Sequence, residues 1–239
     1  MADDLIHLDN FYLTYQSDNT FSLKINHFSI EPDSWVFIEG PSGCGKTTFL
    51  NAITGLIKPN RGTIHILGTD ITKLKPVACD QFRADHFGII FQLFNLIAYL
   101  SVIENIILPC TFSKIKKKKA LLNSQTLVDE ARRLCFELNI EDHLLHKPVN
   151  QLSIGQQQRV SIARAIIGQP DIIIADEATS ALDQERTEQF MTLLLNECQT
   201  YNLSLIFVSH DKTLQSSFNQ VYSLNHINEA KLETHHVLA

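Results

Sequence analysis

Hydrophobic and polar positions alternate through the N-terminal segment. Leu5 to Leu8, Phe11 to Tyr15 and Phe21 to Ile30 each carry apolar side chains at every second position. A period of two predicts half-exposed antiparallel strands, with Asp18-Asn19 supplying a turn. The pattern then changes to short unbroken apolar runs: Trp35 to Glu39, Gly88 to Phe91, Ile172 to Ala175 and Leu205 to Ser209. Such runs, separated by helical segments, suit parallel strands buried on both faces. From about Leu93 to Ser161 the spacing is helical, with Val128, Ala131, Leu134, Cys135 and Leu138 on one stripe. The segment after Val221 is mixed and matches no single template.

The expected architecture is therefore α/β. One domain spans residues 1–239, with a core in 1–92 and 162–239 that includes the antiparallel strands. Residues 93–161 form a helical insertion. The lysine run at Lys114 and Lys116 to Lys119 reads as a solvated loop on that insertion, with attraction to an anionic lipid surface as the alternative. Phe87 to Pro109 is rich in Ile, Leu and Phe, but Gln92, Asn95, Ser101, Glu104 and Asn105 interrupt it. It reads as a strand, a loop and a helix rather than a membrane span.

Composition narrows the class further. Hydrophobic residues make up 44% of the 239 positions and charged residues 19%, enough to bury a core, so disorder is excluded as the main state. A net charge of −6 argues against a purely electrostatic nucleic-acid binder. The start Met1-Ala2-Asp3-Asp4 lacks the basic and apolar regions of a secretory signal. Cys44, Cys79, Cys110, Cys135 and Cys198 are scattered, which suits a reducing compartment better than a disulfide framework. His143 with His146, and His235 with His236, lack the accompanying ligands of a metal site.

The strongest chemical signal is Gly40-Pro41-Ser42-Gly43-Cys44-Gly45-Lys46-Thr47-Thr48. It follows an apolar strand and precedes a helix over Phe49 to Gly55, the context that a phosphate-binding loop requires. Glycines let consecutive N–H groups point at phosphate oxygens, and the following helix adds its positive end. Lys46 reaches the β- and γ-phosphates, and the Thr47 hydroxyl can ligate Mg²⁺.

A second signal is Ile172-Ile173-Ile174-Ala175-Asp176-Glu177, a buried-strand pattern ending in two acids. Acids at the carboxyl end of a parallel strand stand where ligands bind in open α/β sheets. Asp176 is placed to hold Mg²⁺, and Glu177 to orient or deprotonate an attacking water. Third, Leu152-Ser153-Ile154-Gly155-Gln156-Gln157-Gln158-Arg159 opens a helix with Val160, Ala163, Ile166 and Ile167 as its apolar stripe. Gly168 and Pro170 end that helix. A hydroxyl beside a helix N-terminus is again an anion site.

With these segments in order, the chain resembles an ATP-binding-cassette (ABC) ATPase from Tyr15 to His210. Gly40 to Thr48 resembles the Walker A motif and Gln92 the Q-loop glutamine. Leu152 to Gln156 resembles the signature motif, in which Ser153, Gly155 and Gln156 would face a partner's ATP. Asp176-Glu177 resembles Walker B with its catalytic glutamate, Ser180 to Asp183 the D-loop, and His210 the switch histidine. Tyr15 stands where the family stacks an aromatic on adenine, with Phe11, Tyr12 and Phe21 as competing rings. The resemblance implies a P-loop NTPase (RecA-like) fold with a mostly parallel sheet, an N-terminal antiparallel β subdomain and a helical subdomain.

It also implies an ATPase with Mg²⁺ bound by Thr47, Gln92 and Asp176, and catalysis by Glu177, His210 and Gln92. Its expected partners are a second copy of the chain, an integral membrane permease and, through the permease, a periplasmic adaptor, with no nucleic acid. The expected place is the inner face of the cell membrane. Phe91 to Leu96 and His146 to Ser153 are similar to the branch of lipoprotein-releasing, macrolide-exporting and cell-division ATPases. Soluble cassettes acting on DNA or ribosomes are the alternative, disfavoured by a single cassette and an acidic charge. One departure stands out: Ile154 occupies the first of two positions where the family has glycine after the signature serine. Its backbone is expected in an ordinary region, with activity retained.

Overall fold

The computed structural model describes residues 4–14, 22–122 and 124–230. In chain order its strands and α-helices begin with β1 (Ile6–Thr14), β2 (Ser22–Ile30), β3 (Trp35–Glu39), α1 (Lys46–Ile53), β4 (Arg61–Ile66) and β5 (Thr69–Asp70). Next come α2 (Pro76–His86), β6 (Phe87–Ile90), α3 (Val102–Ile107), α4 (Pro109–Phe112), α5 (Lys114–Ala120), α6 (Leu127–Glu137) and α7 (Ile154–Ile166). The chain closes with β7 (Ile172–Asp176), α8 (Gln184–Thr200), β8 (Ser204–Ser209), β9 (Gln220–Ser223) and α9 (Leu224–Ile227). These elements fall into two compact units, Met1–Arg83 with Phe207–Ala239, and Ala84–Ile206.

The first unit contains the antiparallel sheet, ordered β2-β1-β4-β5. Its register pairs Ile6 with Ile30, Leu8 with Phe28, Phe11 with Ile25 and Leu13 with Leu23, so one face is continuously apolar and buried. The sequence pattern divides this segment at Asp9-Asn10, whereas the structure keeps one strand and absorbs the interruption as an irregularity between Asp9 and Tyr12. Asn10 there takes φ 49°. Gly62 on β4 lies against it, and a Cβ at Gly62 would stand 2.2 Å from the Asn10 carbonyl oxygen. Only glycine allows that approach. The turn at Asp18-Asn19 lies outside the described residues.

The same unit pairs β3 with β9 in parallel, Val36 opposite Gln220 and Ile38 opposite Tyr222. Phe28 meets Phe49 of α1 and Tyr222 of β9 edge-on, at 5.7 and 4.9 Å between ring centroids. Phe37 stacks on Phe207 at 6.1 Å and touches Phe218. Each buried ring contributes roughly 1.5–3 kcal/mol of transfer free energy. The mixed tail resolves into β9 and α9. The buried Asn228 then accepts from the Lys24 amide at 2.9 Å and donates to the Ser22 carbonyl at 3.1 Å, pinning the tail to β2.

The second unit pairs β6 with β7 in parallel, Phe87 opposite Ile172 and Ile89 opposite Ile174. Gly88 is required here, because a Cβ would lie 2.1 Å from the Ala165 carbonyl oxygen of α7. The helix backbone therefore rests directly on the strand. Helices α3, α6 and α7 each start on a capping box, Ser101/Glu104, Thr126/Asp129 and Ser153/Gln156. On α6 the buried stripe includes Ala131, Leu134 and Cys135 and continues to Leu138, but Val128 is exposed. The inward face thus begins one turn later than the apolar spacing predicts.

The lysine run corrects a second expectation. It is not a solvated loop but helix α5, and Lys116 is only 2% exposed. Its ammonium donates to the Phe87 carbonyl at 2.6 Å, and Lys119 donates to the Gln169 carbonyl at 2.7 Å. The i, i+3 spacing of a helix puts these two cations on one inward face. Gly168 makes room for them: its φ is +71°, and a Cβ there would lie 2.5 Å from Lys116 Cβ.

Burial lowers the Lys116 pKa to about 8, against the opposing pull of Cys110, Asp85 and Asp171 and with Lys119 adding to the depression. The unfolded chain keeps that proton to about 10.5. Between those values the unfolded state binds more protons, so this residue makes folding more favourable as pH rises. Chemical denaturation from pH 8 to 10.5 should show wild type gaining about 3 kcal/mol relative to Lys116→Met. Parallel pH curves for the two proteins would contradict the assignment.

Candidate functional site

Strand β3 ends at Glu39 and helix α1 begins at Lys46, so Gly40 to Gly45 must turn the chain within one loop. A Cβ at Gly40 would stand 2.4 Å from Cys44 Sγ. Gly43 and Gly45 take φ of +79° and +105°, conformations that a side chain would oppose. Gly45 is the N-cap of α1, and no side chain caps that helix. Lys46 is 8% exposed and folds back to donate to the Gly40 and Pro41 carbonyls at 2.6 and 3.1 Å. Pro41, Ser42 and Thr47 are exposed and Thr48 is half-buried. The loop therefore presents an uncapped helix N-terminus, a cation and hydroxyls, a combination whose chemistry suits an anion.

The same unit carries His210, exposed immediately after β8. Asp211 caps the short 3₁₀ turn that follows, accepting from Thr213 N at 3.0 Å and its hydroxyl at 2.7 Å. That turn is tied to the residue preceding the glycine loop. Gln215 donates to Glu39 Oε2 at 2.6 Å, and Lys212 lies 3.2 Å from the same oxygen. Glu39 thus connects the segment after His210 to the base of the loop, a role with no signature in the local sequence.

In the second unit the buried run Ile172 to Ala175 delivers Asp176 and Glu177, both half-buried, at the end of β7. Glu177 takes φ 48°. A non-glycine residue held in that region is strained by roughly 1–3 kcal/mol and is characteristic of functional sites. The chain then tightens through Ser180 N to the Glu177 carbonyl at 3.0 Å and Leu182 N to the Thr179 carbonyl at 3.1 Å. Asp183 caps α8, accepting from Arg186 N at 2.9 Å. Its side chain therefore has a structural role as a helix cap.

Gln92 is exposed after β6. The loop it opens holds Phe94 and Asn95 at φ 59° and 45°. Two anchors keep this shape. Arg164 of α7 donates to the Asn95 carbonyl at 2.7 Å and the Phe94 carbonyl at 2.5 Å. Fully buried Asn105 accepts from Ile97 N at 2.8 Å and donates to the Ile97, Leu100 and Ser101 carbonyls. No sequence motif marks Arg164. Its only local signal is a cation on an otherwise buried helix face.

At the start of α7, Ser153 Oγ accepts from Gln156 N at 3.3 Å, and Gln156 Oε1 accepts from Ser153 N at 2.9 Å. The Ser153 hydroxyl keeps its own proton to donate outward. Ile154 is the first helical residue, 50% exposed, with the ordinary backbone expected of it. At Gly155 an added Cβ would meet nothing nearer than Gln158 Oε1 at 3.8 Å. The fold's own packing has no need of glycine there. A groove of ≈ 270 Å³ lies beside it, lined by Ser153, Gly155, Arg159, Arg186 and Phe190 among others. Gln158 also lines it, and its buried Nε2 has no hydrogen-bond partner.

Tyr15 and Phe21 lie outside the described residues. Of the competing rings, Phe11 is fully buried and offers no face for stacking. Tyr12 is half-buried and lines a cavity with Lys24 and Arg61. The His235-His236 pair also lies outside the described residues. His143 pairs with Glu141 at 3.1 Å on the surface.

Comparison with known proteins follows the same segments. The protein-family profile described as ABC transporter matches residues 23–180. The ABC transporter ATP-binding protein YtrE of Bacillus subtilis (strain 168) is 39% identical over 203 residues, covering 85% of this chain and 84% of that protein. The macrolide export ATP-binding/permease protein MacB of Salmonella choleraesuis (strain SC-B67) is 35% identical over 223 residues. That match covers 92% of this chain but 33% of MacB. Among solved structures, the dimeric post-hydrolysis state of the ATP-binding cassette MJ0796 bound to ADP and Pi has a TM-score of 0.76 at 32% identity, covering 91% of this chain and 93% of that one. CbiO1 from Clostridium perfringens, part of the transporter complex cbiONQ, has a TM-score of 0.76 at 25% identity, covering 92% and 84%.

Replacing Arg164 with Ala should leave the Phe94 and Asn95 carbonyls without their donor. Amide exchange over residues 93–97 should accelerate by about tenfold, with about 1.5–3 kcal/mol lost in global stability. Unchanged exchange in that segment would show that the loop is held without Arg164.

Proposed function

The chain belongs to the ABC transporter family as an ATP-hydrolysing cassette, and from that premise we propose how its residues divide the work. The carrying observation is that one polypeptide holds two glycine-bearing helix N-termini, at Gly45 and Gly155, whose geometry each suits an anion. In this reading the Gly40 to Thr48 loop holds the ATP phosphates of its own chain. Lys46 turns from the Gly40 and Pro41 carbonyls to the β- and γ-phosphates. Ser153 and Gly155 of a second copy then close on the γ-phosphate, with Gln156 fixing Ser153. Tyr15 stacks on adenine.

In this reading Thr47, Gln92 and Asp176 would hold Mg²⁺, since each offers a hard oxygen donor. Bound there, the ion would neutralise charge on the transferring phosphoryl group. Glu177 takes a proton from the water that attacks the γ-phosphorus, while the bond to the β-phosphate oxygen breaks and ADP leaves. His210 donates toward the γ-phosphoryl oxygens, and Asp183 helps join the two copies. The γ-phosphate bridges both chains until hydrolysis and phosphate loss remove the bridge, which makes a nucleotide-driven switch.

No helix among the described residues is long and apolar enough to cross a membrane. We place the chain on the cytoplasmic face, working on a membrane permease. The likeness to MacB, a macrolide export ATP-binding/permease protein, supports export; our reading extends this to mechanical work on envelope substrates, with a periplasmic adaptor reached through the permease. Within this frame the loop after Gln92 receives the permease's motion, and Arg164 carries it to the signature helix.

Four substitutions test this division with purified chain and its permease. Lys46→Ala should weaken ATP binding by about tenfold or more, whereas Glu177→Gln should bind ATP normally and hydrolyse almost none. Gly155→Ala should fold with unchanged or slightly raised stability, since alanine is the better helix former and has room, yet lose about tenfold or more in hydrolysis. Ile154→Gly should leave the rate near that of wild type. Wild-type hydrolysis by Glu177→Gln or Gly155→Ala would refute the roles given to those residues.

A further inference from the structure

The outward face of the antiparallel sheet gathers imidazoles that ATP chemistry does not use. We propose that this face binds a zinc-class divalent cation through His7, Asp9 and His27. Asp9 and His27 are direct cross-strand partners in the β1–β2 register, and His7 lies two residues from Asp9 on the same face. One ligand atom from each of the three lies within 4.8 Å of the others. The His7 and His27 rings meet edge-on at 4.9 Å.

The surroundings are those of a ligand set rather than of chance polar neighbours. Asn10 Nδ2 donates to Asp9 Oδ2 at 3.1 Å and so orients the carboxylate. The strand irregularity at Asn10 sits immediately beside it. Asp4 Oδ2 lies 3.3 Å from His7 Nδ1 and adds negative charge beside it, while that buried Nδ1 has no hydrogen-bond partner. His65 stands opposite His7 on β4, its ring centroid 6.3 Å away and its buried Nδ1 without a hydrogen-bond partner. Two imidazoles and a carboxylate select a late first-row ion over Mg²⁺ or Ca²⁺, which favour all-oxygen sets.

Tetrahedral Zn²⁺ with bonds of ~2.0–2.1 Å needs donor atoms roughly 3.3 Å apart. Asp9 and His27 are exposed and can close that gap by rotamer changes, while half-buried His7 remains the fixed point. The bound ion would join β1 to β2 across their solvent face and stabilise the N-terminal sheet. The buried cysteines offer no competing site.

The test is titration of Zn²⁺ alone into the untagged, metal-free full chain by calorimetry, with thermal unfolding in parallel. Wild type should take one equivalent and unfold at higher temperature with Zn²⁺. Mg²⁺ in excess should not compete. Asp9→Asn and His27→Ala should each weaken binding about tenfold or more and abolish the thermal shift. His235→Ala/His236→Ala should bind as wild type does, and His27→Ala should keep wild-type Mg²⁺-dependent ATP hydrolysis, which separates this site from the nucleotide reading. Absence of stoichiometric uptake by wild type would overturn the proposal, as would undiminished affinity in an Asp9→Asn/His27→Ala double variant.

Discussion

A helix whose first residue follows a left-handed glycine, with no side chain to cap it, leaves its N-terminal amides to be completed by something else. That condition exists at Gly45, where α1 begins. Around it the chain has given up ordinary side-chain packing: a Cβ at Gly40 would press on Cys44 Sγ, and Lys46 turns back onto the loop's own carbonyls. The loop is consequently held in shape by internal hydrogen bonds that a phosphate can replace. Glu39, one residue before the loop, fixes the turn after His210 through Gln215 and Lys212. Residues with separate chemical roles in the first unit are thereby set by one strand end.

The second unit applies the same physics differently. Helix α7 is capped by its own Ser153 and Gln156, so its N-terminus is already ordered before any ligand arrives. What it keeps open is the space at Gly155. Arg164 of this helix grips the carbonyls of Phe94 and Asn95, two consecutive left-handed residues in the loop after Gln92, so charge-assisted hydrogen bonds rather than loose packing join that loop to the helix. The helix lies directly on β6 at Gly88, which limits the directions in which it can yield.

Much of this was legible along the chain because the controlling forces are local. Gly40 to Thr48 and Ile172 to Glu177 carry their geometry in consecutive residues, and the alternation of β1 and β2 reports a buried face directly. What could not be read depends on distant partners. Composition alone does not distinguish a solvated lysine run from one whose Lys116 is sunk against Phe87. Val128 matches the helical stripe, yet the stripe's burial is set by what packs on α6. The break at Asp9-Asn10 looked like a strand end because an irregularity and its partner Gly62 lie far apart in sequence. Arg164, Glu39 and the grouping of His7 with His27 were hidden for the same reason.

The central claim is that ATP held by one chain's glycine loop is also gripped by Ser153 and Gly155 of another. The most direct measurement is the solution mass of hydrolysis-deficient Glu177→Gln protein with and without ATP, beside the same protein carrying Ser153→Arg. Glu177→Gln should pass from monomer to dimer when ATP is added. The double variant should bind ATP with the same affinity and remain monomeric. Equal ATP-driven dimerisation of both proteins, or of neither while ATP is bound, would contradict the claim.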